Sequence, residues 1–145
     1  MDERTLANLS AEAVAAREAA YAPYSGFKVG AALLTSAGKV YRGCNVENAA
    51  YSPSLCAERT AFCTAVAAGE RQFSAIAVAG WGADEVGMAF PCGVCRQVMM
   101  EFCVPAAFQV IVTDAQGNWA LHTLAELLPR GFGPENLTGG AKDGQ

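Results

Sequence analysis

The stretch that decides the fold is FSAIAVAGWGADEVGMAFPCGVCRQVMMEFCVPAAFQVIVT, which spans residues 73–113. It begins with a short apolar run at 73–79 and ends with another at 108–113, and both are predicted to be buried strands. The segment between them at 92–103 is predicted to be a buried helix that Pro105 closes. A strand, a helix and a strand in this order indicate parallel strands joined by a right-handed crossover.

The segments before this unit add a leading helix, a hairpin and a second helix. Residues 5–21 carry apolar side chains three and four positions apart, which predicts an amphipathic helix that Pro23 ends. Residues 27–36 and 39–44 are predicted to be two strands of a hairpin. Residues 56–68 are rich in alanine and are followed by a glycine, so they are predicted to form a helix.

The remaining segments complete a single domain over residues 1–133. A short strand is expected at 119–122 and a helical turn at 124–128, while residues 134–145 form a polar, Gly-rich tail. We therefore predict an α/β fold, a three-layer α/β/α sandwich with a five-stranded mixed sheet. Its helices should begin near the carboxyl ends of strands, where such folds place their functional sites.

Composition excludes several classes of protein. The chain has 145 residues, of which 52% are hydrophobic and 17% charged, and this excludes intrinsic disorder. Its net charge of −4 argues against a nucleic-acid partner, because such proteins usually carry a basic stripe. The chain has no apolar run of about 18 residues and no signal-peptide pattern, so we expect no membrane partner and a cytoplasmic location. Six cysteines in such a protein are not expected to form a disulfide framework.

Three of the cysteines stand where metal chemistry is expected. Cys56 opens one predicted helix, and Cys92 opens another, with Cys95 on the same face one turn later. A helix N-terminus favours the thiolate form of cysteine, and three thiolates at two helix starts can meet on one ion. Three protein ligands leave the fourth tetrahedral position open, which is typical of catalytic zinc. Water in that position ionises near neutral pH.

Two charged residues follow the first of these cysteines. Glu58 is predicted to lie within reach of the water and to pass a proton from it to a substrate. Arg59 offers a guanidinium that offsets the negative charge of the thiolates. Away from a cysteine, either residue would be interpreted as part of a solvated helix surface. Their position beside Cys56 favours the chemical interpretation.

Other arrangements of the cysteines remain open. The two cysteines three positions apart are also the spacing of a redox pair, although that leaves the third cysteine and the glutamate unexplained. A structural zinc site would take a fourth ligand from Cys44, Cys63 or Cys103, which we instead expect to pack in the core. The single histidine, His122, is expected to be structural or exposed.

The combination of C-x-E with P-C-x-x-C is a signature of the zinc deaminases. Over nearly its whole length the chain resembles the small, homotetrameric cytidine deaminases. The matching segments are residues 21–34, 43–51 (GCNVENAAY), 56–62 (CAERTAF) and 91–98 (PCGVCRQV). The resemblance agrees with the order of strands and helices expected above.

The resemblance implies one Zn²⁺ per chain, held by Cys56, Cys92 and Cys95. It also implies that zinc-bound hydroxide attacks C4 of the pyrimidine while Glu58 shuttles protons. The implied reaction is the hydrolysis of cytidine, and of 2′-deoxycytidine, to the uridine product and ammonia in pyrimidine salvage. Arg59 is implied to donate a hydrogen bond to the thiolates.

Six further residues are implied to bind the substrate. Asn45 and Glu47 are implied to bind the ribose hydroxyls. Phe27 is implied to pack on the face of the pyrimidine, and Ala57 to contact the base through its backbone. Tyr51 and Phe132 are implied to help form a neighbouring subunit's pocket. The expected assembly is therefore a homotetramer with shared active sites. Amide and carboxylate groups suit a sugar diol, and an aromatic ring suits the face of a base.

Simpler interpretations and other functions remain. Without the resemblance, the aromatic residues would be interpreted as core or tail anchors and the polar pair as loop residues. Val94 stands where relatives commonly have a smaller residue, and residues 81–90 form a predicted loop without a recognisable pattern. Both differences concern the choice of substrate. A deaminase of another cytosine-like substrate and a non-catalytic zinc-binding module are the alternatives.

Overall fold

The computed structural model describes residues 1–138, which form a five-stranded sheet with helices on both faces. The strands are β1 (Lys28–Thr35), β2 (Val40–Cys44), β3 (Phe73–Trp81), β4 (Gln109–Thr113) and β5 (Trp119–Thr123). The longer helices are α1 (Glu3–Arg17), α2 (Ala57–Ala67) and α3 (Gly93–Phe102). Two short helices follow, α4 (Leu124–Leu127) and α5 (Glu135–Thr138).

The sheet is mixed, as predicted, with the strand order β2-β1-β3-β4-β5. Strand β1 pairs antiparallel with both β2 and β3, β3 pairs parallel with β4, and β4 pairs antiparallel with β5. The strand–helix–strand unit of residues 73–113 is therefore confirmed as a neighbouring parallel pair. Strands β2 and β3 also run in the same direction, but β1 lies between them, paired with β2 through the hairpin and with β3 from a distant part of the chain.

The three layers are confirmed by the two cores. The faces of the strands alternate, so small alanines of β3 meet α1 on one side while branched residues face α2 and α3 on the other. On the α1 side these are Ala75, Ala77 and Ala79. On the α2 and α3 side they are Ile76 and Val78. Helix α2, which follows the predicted metal ligand Cys56, is thereby buried against the sheet.

A glycine fixes how closely α2 approaches the sheet. Gly43 of β2 lies directly against the first turns of α2, where a Cβ atom would overlap Ala57 O and Ala61 N. Any larger residue would push the helix outward. The close contact holds the N-terminal end of α2 at the edge where β2 and β3 end and β1 begins, as the fold class predicted.

Helix α1 differs from its predicted range at both ends. It begins at Glu3, because the side chain of Asp2 accepts a hydrogen bond from Thr5 N at 2.8 Å and caps the first turn. It ends at Arg17, four residues earlier than predicted. The chain leaves the helix before the proline because Tyr21 N donates to Asn45 O, which draws this segment toward the sheet.

Two more segments differ from the sequence prediction. Strand β3 continues to Trp81, which pairs with Lys28 of β1, so the following loop is shorter than expected. The predicted tail begins with helix α5, which is anchored by a hydrogen bond from Gly133 N to Asn136 Oδ1 at 2.8 Å. Residues 139–145 lie outside the described residues, and the domain boundary at 133 stays a prediction. Among the helices of residues 1–138, none has the length and apolar character needed to cross a bilayer.

Candidate active site

Three cysteines meet where the N-termini of α2 and α3 converge. Cys56 and Cys92 are the N-cap residues of these helices, both with extended backbone, and Cys95 lies in the first turn of α3. The Sγ atoms of Cys56 and Cys92 are 3.7 Å apart, and those of Cys92 and Cys95 are 3.5 Å apart. The predicted positions at two helix starts are therefore confirmed.

The donor set fits a zinc ion. Tetrahedral coordination with Zn–S bonds of about 2.3 Å places the sulfurs about 3.8 Å apart, close to the observed separations. A disulfide would need about 2.05 Å, and none of the six cysteines, all within residues 1–138, forms one. Within that range the only cluster of potential metal ligands is Cys56, Cys92 and Cys95, so no cysteine supplies a fourth ligand. One tetrahedral position is left for a small molecule.

The remaining three cysteines lie elsewhere. Cys103 is buried in the core, in agreement with the expected packing. Cys44 is half-buried and lies outside both cores. The expectation is wrong for Cys63, which is exposed because it lies on the side of α2 away from the sheet. Burial among helix residues depends on which face meets the sheet, and the alanine-rich sequence of α2 defines that face weakly.

The cluster is prepared for a cation by its electrostatics. The hydrogen bond from Cys95, together with the Arg59 guanidinium, lowers the pKa of Cys56 to about 5. The same hydrogen bond and burial raise the pKa of the Cys95 thiol. Arg59 Nη2 lies 3.4 Å from Cys56 Sγ, as the sequence interpretation expected for a residue that offsets thiolate charge. Metal binding would displace the thiol proton that the sulfurs share.

Glu58 is the buried acid of the site. It lies in the first turn of α2, is 3% exposed, and lines the same cavity as Cys56 and Cys92. Burial raises the pKa of its carboxyl group above the usual value. A carboxyl group with a raised pKa can hold and release a proton closer to neutral pH, which suits a proton shuttle.

A cavity of about 590 Å³ leads to this cluster, and its volume suits a small molecule. Most of the residues singled out from the sequence line it. They are Phe27, Asn45, Glu47, Tyr51, Cys56, Glu58, Arg59 and Cys92. Three others do not line it: Cys95 and Ala57 are buried behind it, and Phe132 is exposed outside it.

Asn45 joins the cavity to the start of β1. Its Oδ1 accepts a hydrogen bond from Val29 N at 2.9 Å, and its Nδ2 donates to Phe27 O at 2.8 Å. The side chain is buried. The residue therefore fixes the backbone around Phe27 and still has one amide hydrogen for another acceptor.

Glu47 also lines the cavity while it forms hydrogen bonds with neighbouring residues. Its carboxylate accepts hydrogen bonds from Tyr24 N at 3.0 Å, from Ser25 N at 3.1 Å and from Ser25 Oγ. The hydrogen bond from the serine hydroxyl holds the pKa of this carboxyl below its usual range. Glu47 is therefore an ionised acceptor with lone pairs left for a further hydroxyl.

Several residues that line the cavity were not singled out by the sequence analysis as substrate contacts. Serines and apolar residues from four segments complete the wall, namely Ser25, Val29, Ser52, Ser54, Leu55, Val78, Ala89, Phe90 and Val94. Phe90 is the largest, and its ring meets His122 edge to face with centroids 5.3 Å apart. In the sequence, its position directly before the P-C-x-x-C motif could have indicated that it lies at the site.

Comparison with known proteins agrees with this geometry. A family model described as the cytidine and deoxycytidylate deaminase zinc-binding region matches residues 3–111. The chain belongs to this deaminase family. The cytidine deaminase of Sporosarcina psychrophila is 52% identical over 130 residues, which cover 90% of this chain and 93% of that protein.

Solved structures of the family share the deaminase fold described here. The cytidine deaminase of Burkholderia pseudomallei superimposes with a TM-score of 0.81 at 51% identity, over 91% of this chain and 100% of that one. The cytidine deaminase of Mycobacterium tuberculosis gives a TM-score of 0.75 at 35% identity, over 92% and 99% of the two chains. The predicted fold, family and zinc-binding character are confirmed.

Replacing one sulfur should remove the metal from this deaminase. We expect Cys92→Ala to carry less than about one tenth of a zinc ion per chain after dialysis, since two thiolates leave the site incomplete. Elemental analysis of the purified protein measures this. Cys63→Ala is the matched control, because it removes an exposed thiol from α2 and should keep one zinc per chain. A full zinc complement in Cys92→Ala would contradict the ligand set.

Proposed function

We propose that this chain is a zinc-dependent cytidine deaminase that hydrolyses cytidine, and 2′-deoxycytidine, to the uridine product and ammonia. One observation carries the proposal: a buried Glu58 with a raised pKa stands beside three sulfurs at metal-binding distance, at the end of a nucleoside-sized cavity. Membership of the deaminase family supports the same reaction. The absence of a disulfide among the six cysteines is consistent with the proposed cytoplasmic location.

The reaction exchanges the C4 amino group for oxygen from water. The cysteines Cys56, Cys92 and Cys95 would hold the zinc, and the bound ion would supply the Lewis acidity that makes water a nucleophile at neutral pH. Glu58 accepts the proton that the water loses and delivers it to N3 of the ring. It then takes the proton of the new C4 hydroxyl and delivers it to the departing amine, so that the C4–N bond breaks, ammonia leaves and the C4 carbonyl forms. Arg59 holds Cys56 as a thiolate throughout.

The far end of the cavity suits a ribose. Asn45 has one amide hydrogen left, and Glu47 is an ionised acceptor, so together they can donate to and accept from two adjacent hydroxyls. Phe27 is partly exposed and lines the same cavity, and its ring can pack against the face of the pyrimidine. We propose that the buried backbone of Ala57 contacts the base.

The acid can be tested separately from the metal. We expect Glu58→Gln to keep one zinc per chain and its fold, but to lose turnover of cytidine by about 10³-fold or more, since the amide cannot accept and release protons. The ultraviolet change of cytidine measures turnover, and elemental analysis measures zinc. Glu101→Gln, an exposed change on α3, is the control and should remain active. Comparable activity in Glu58→Gln would end the proton-shuttle assignment.

The substrate class can be tested by competition among cytidine, free cytosine and single-stranded DNA. We expect kcat/KM for cytosine to be lower than for cytidine by about 10³-fold, because the polar groups meant for ribose are left unpaired. We expect no turnover of the DNA, since the chain carries a net charge of −4. Preference for either competitor would identify a different cytosine-like substrate. Zinc binding with no turnover of any of the three would indicate a non-catalytic module.

We further propose that the protein is a homotetramer in which Tyr51 and Phe132 complete a neighbouring subunit's site. Tyr51 and Phe132 are 73% and 57% exposed in the single chain, and Phe132 lies outside the cavity that Tyr51 lines. Gln97 Nε2 donates to Phe132 O at 2.8 Å, which fixes the backbone of this exposed ring on the outside of α3. Aromatic residues are enriched in protein–protein interfaces.

Shared sites predict complementation between two weak variants. Phe132→Ala chains keep Glu58, and Glu58→Gln chains keep Phe132, so mixed assemblies should regain activity that neither variant has alone. Turnover after subunit exchange measures this, with the assembly mass from light scattering. A mixture of Cys92→Ala with Glu58→Gln is the control. A chain that needs its own Phe132, or a monomeric mass, would contradict the proposal.

A further inference from the structure

Arg17, the last residue of α1, makes three contacts at the end of the sheet nearest the cavity. Its Nε donates to Lys28 O at 2.9 Å, and its Nη2 donates to Trp81 O at 2.8 Å. The guanidinium carbon also lies 4.1 Å from the centroid of the Trp81 ring. The side chain is 13% exposed. Its planar guanidinium holds the two donors, Nε and Nη2, in a fixed geometry toward the two carbonyls.

The two carbonyls belong to adjacent strands. Lys28 of β1 and Trp81 of β3 are opposite each other in the antiparallel ladder, at the end of its register. Immediately before Lys28 is Phe27, and immediately after Trp81 begins the segment 82–90, which returns Ala89 and Phe90 to the cavity wall. Arg17 therefore links the ends of β1 and β3, next to the two segments that carry Phe27 and Ala89 into the cavity wall.

Gly80 connects this point to the ring of Phe27. A Cβ atom on Gly80 would lie 2.9 Å from Val29 Cγ2, 3.1 Å from Ala89 Cβ and 3.2 Å from Phe27 Cε1. Phe27 and Ala89 therefore rest directly on the backbone of β3, one residue before Trp81. A displacement of this strand end moves both of these wall residues.

We infer that Arg17 is a positioning residue for the substrate: it holds the ends of β1 and β3 together and thereby fixes Phe27 and Ala89 in the cavity wall. The inference rests on the proposed function only in naming cytidine as the molecule that meets this wall. Arg17 itself does not line the cavity, and its contacts involve neither α2 nor α3. Its loss should therefore weaken substrate binding and leave the zinc cluster and the proton transfer intact.

The kinetic test is Arg17→Gln. We expect KM for cytidine to rise about three- to tenfold with kcat within about twofold of wild type, because a contact made equally before and during the reaction affects binding alone. Zinc should stay at one per chain. Arg71→Gln is the matched control, since Arg71 also donates to two backbone carbonyls, Val66 O at 2.9 Å and Glu70 O at 2.8 Å, beyond the end of α2. It should leave KM unchanged.

Two further variants separate positioning from general stability. In a Phe27→Ala background, Arg17→Gln should add less than about twofold to KM, because residues that act through one another are not additive. Gly80→Ala should raise KM on its own, because its Cβ displaces Phe27 and Ala89 while Arg17 remains. Because Gly80→Ala keeps Arg17, it also tests whether the positions of Phe27 and Ala89 determine KM if Arg17→Gln does not fold.

Hydrogen exchange gives a readout that needs no turnover. Peptides covering residues 25–29 and 80–90 should exchange faster in Arg17→Gln than in wild type, while peptides of α2 and α3 should not change. An unchanged KM with a lowered melting temperature would overturn the inference, as would an undiminished effect of Arg17→Gln in the Phe27→Ala background. Inactive wild-type protein with the expected exchange pattern would instead count against the proposed function alone.

Discussion

The convergence of two helix N-termini is the constraint on which the site depends. Helix α2 is held against β2 at Gly43, and the start of α3 is held by Arg96, which donates to Pro91 O at 2.7 Å and to Leu127 O at 2.6 Å. With both helix starts fixed, the sulfurs meet at a spacing that suits one tetrahedral ion.

This arrangement brings together ionisable groups whose charged forms are destabilised by burial. Glu58 is almost fully buried beside thiols that gain negative charge when they bind a cation. Arg59 offsets part of that charge from the same turn of α2. Behind the site, the ring of Phe62 stacks on Phe102 with centroids 5.6 Å apart and meets Phe73 edge to face at 5.1 Å. This apolar packing joins α2 to α3 and resists the displacement that repulsion among the ligands would cause.

Local sequence was sufficient for the metal cluster and insufficient for the wall around it. Ligand spacing along a helix and the helix starts are local properties, so the three cysteines and Glu58 could be predicted with their positions. The place of β1 between β2 and β3 depends on the pairing of distant strands, and the spacing of motifs does not encode it. The same applies to Phe90, which reaches the cavity only because the segment after β3 turns back. Asn45 shows the intermediate case, since its place at the cavity was expected but its hydrogen bonds to the backbone of Phe27 and Val29 were not.

The cavity therefore has two parts, which belong to different elements of the fold. The metal and the acid belong to α2 and α3, where any displacement changes the geometry of bond making. The opposite wall belongs to the ends of β1 and β3 and to the segment 82–90, where a displacement changes which molecule fits. Asn45 connects the parts, because its backbone continues from β2 toward α2 while its side chain holds β1. A chain built in this way can change its substrate preference through residues such as Ala89 and Phe90 while the chemistry at Glu58 stays the same.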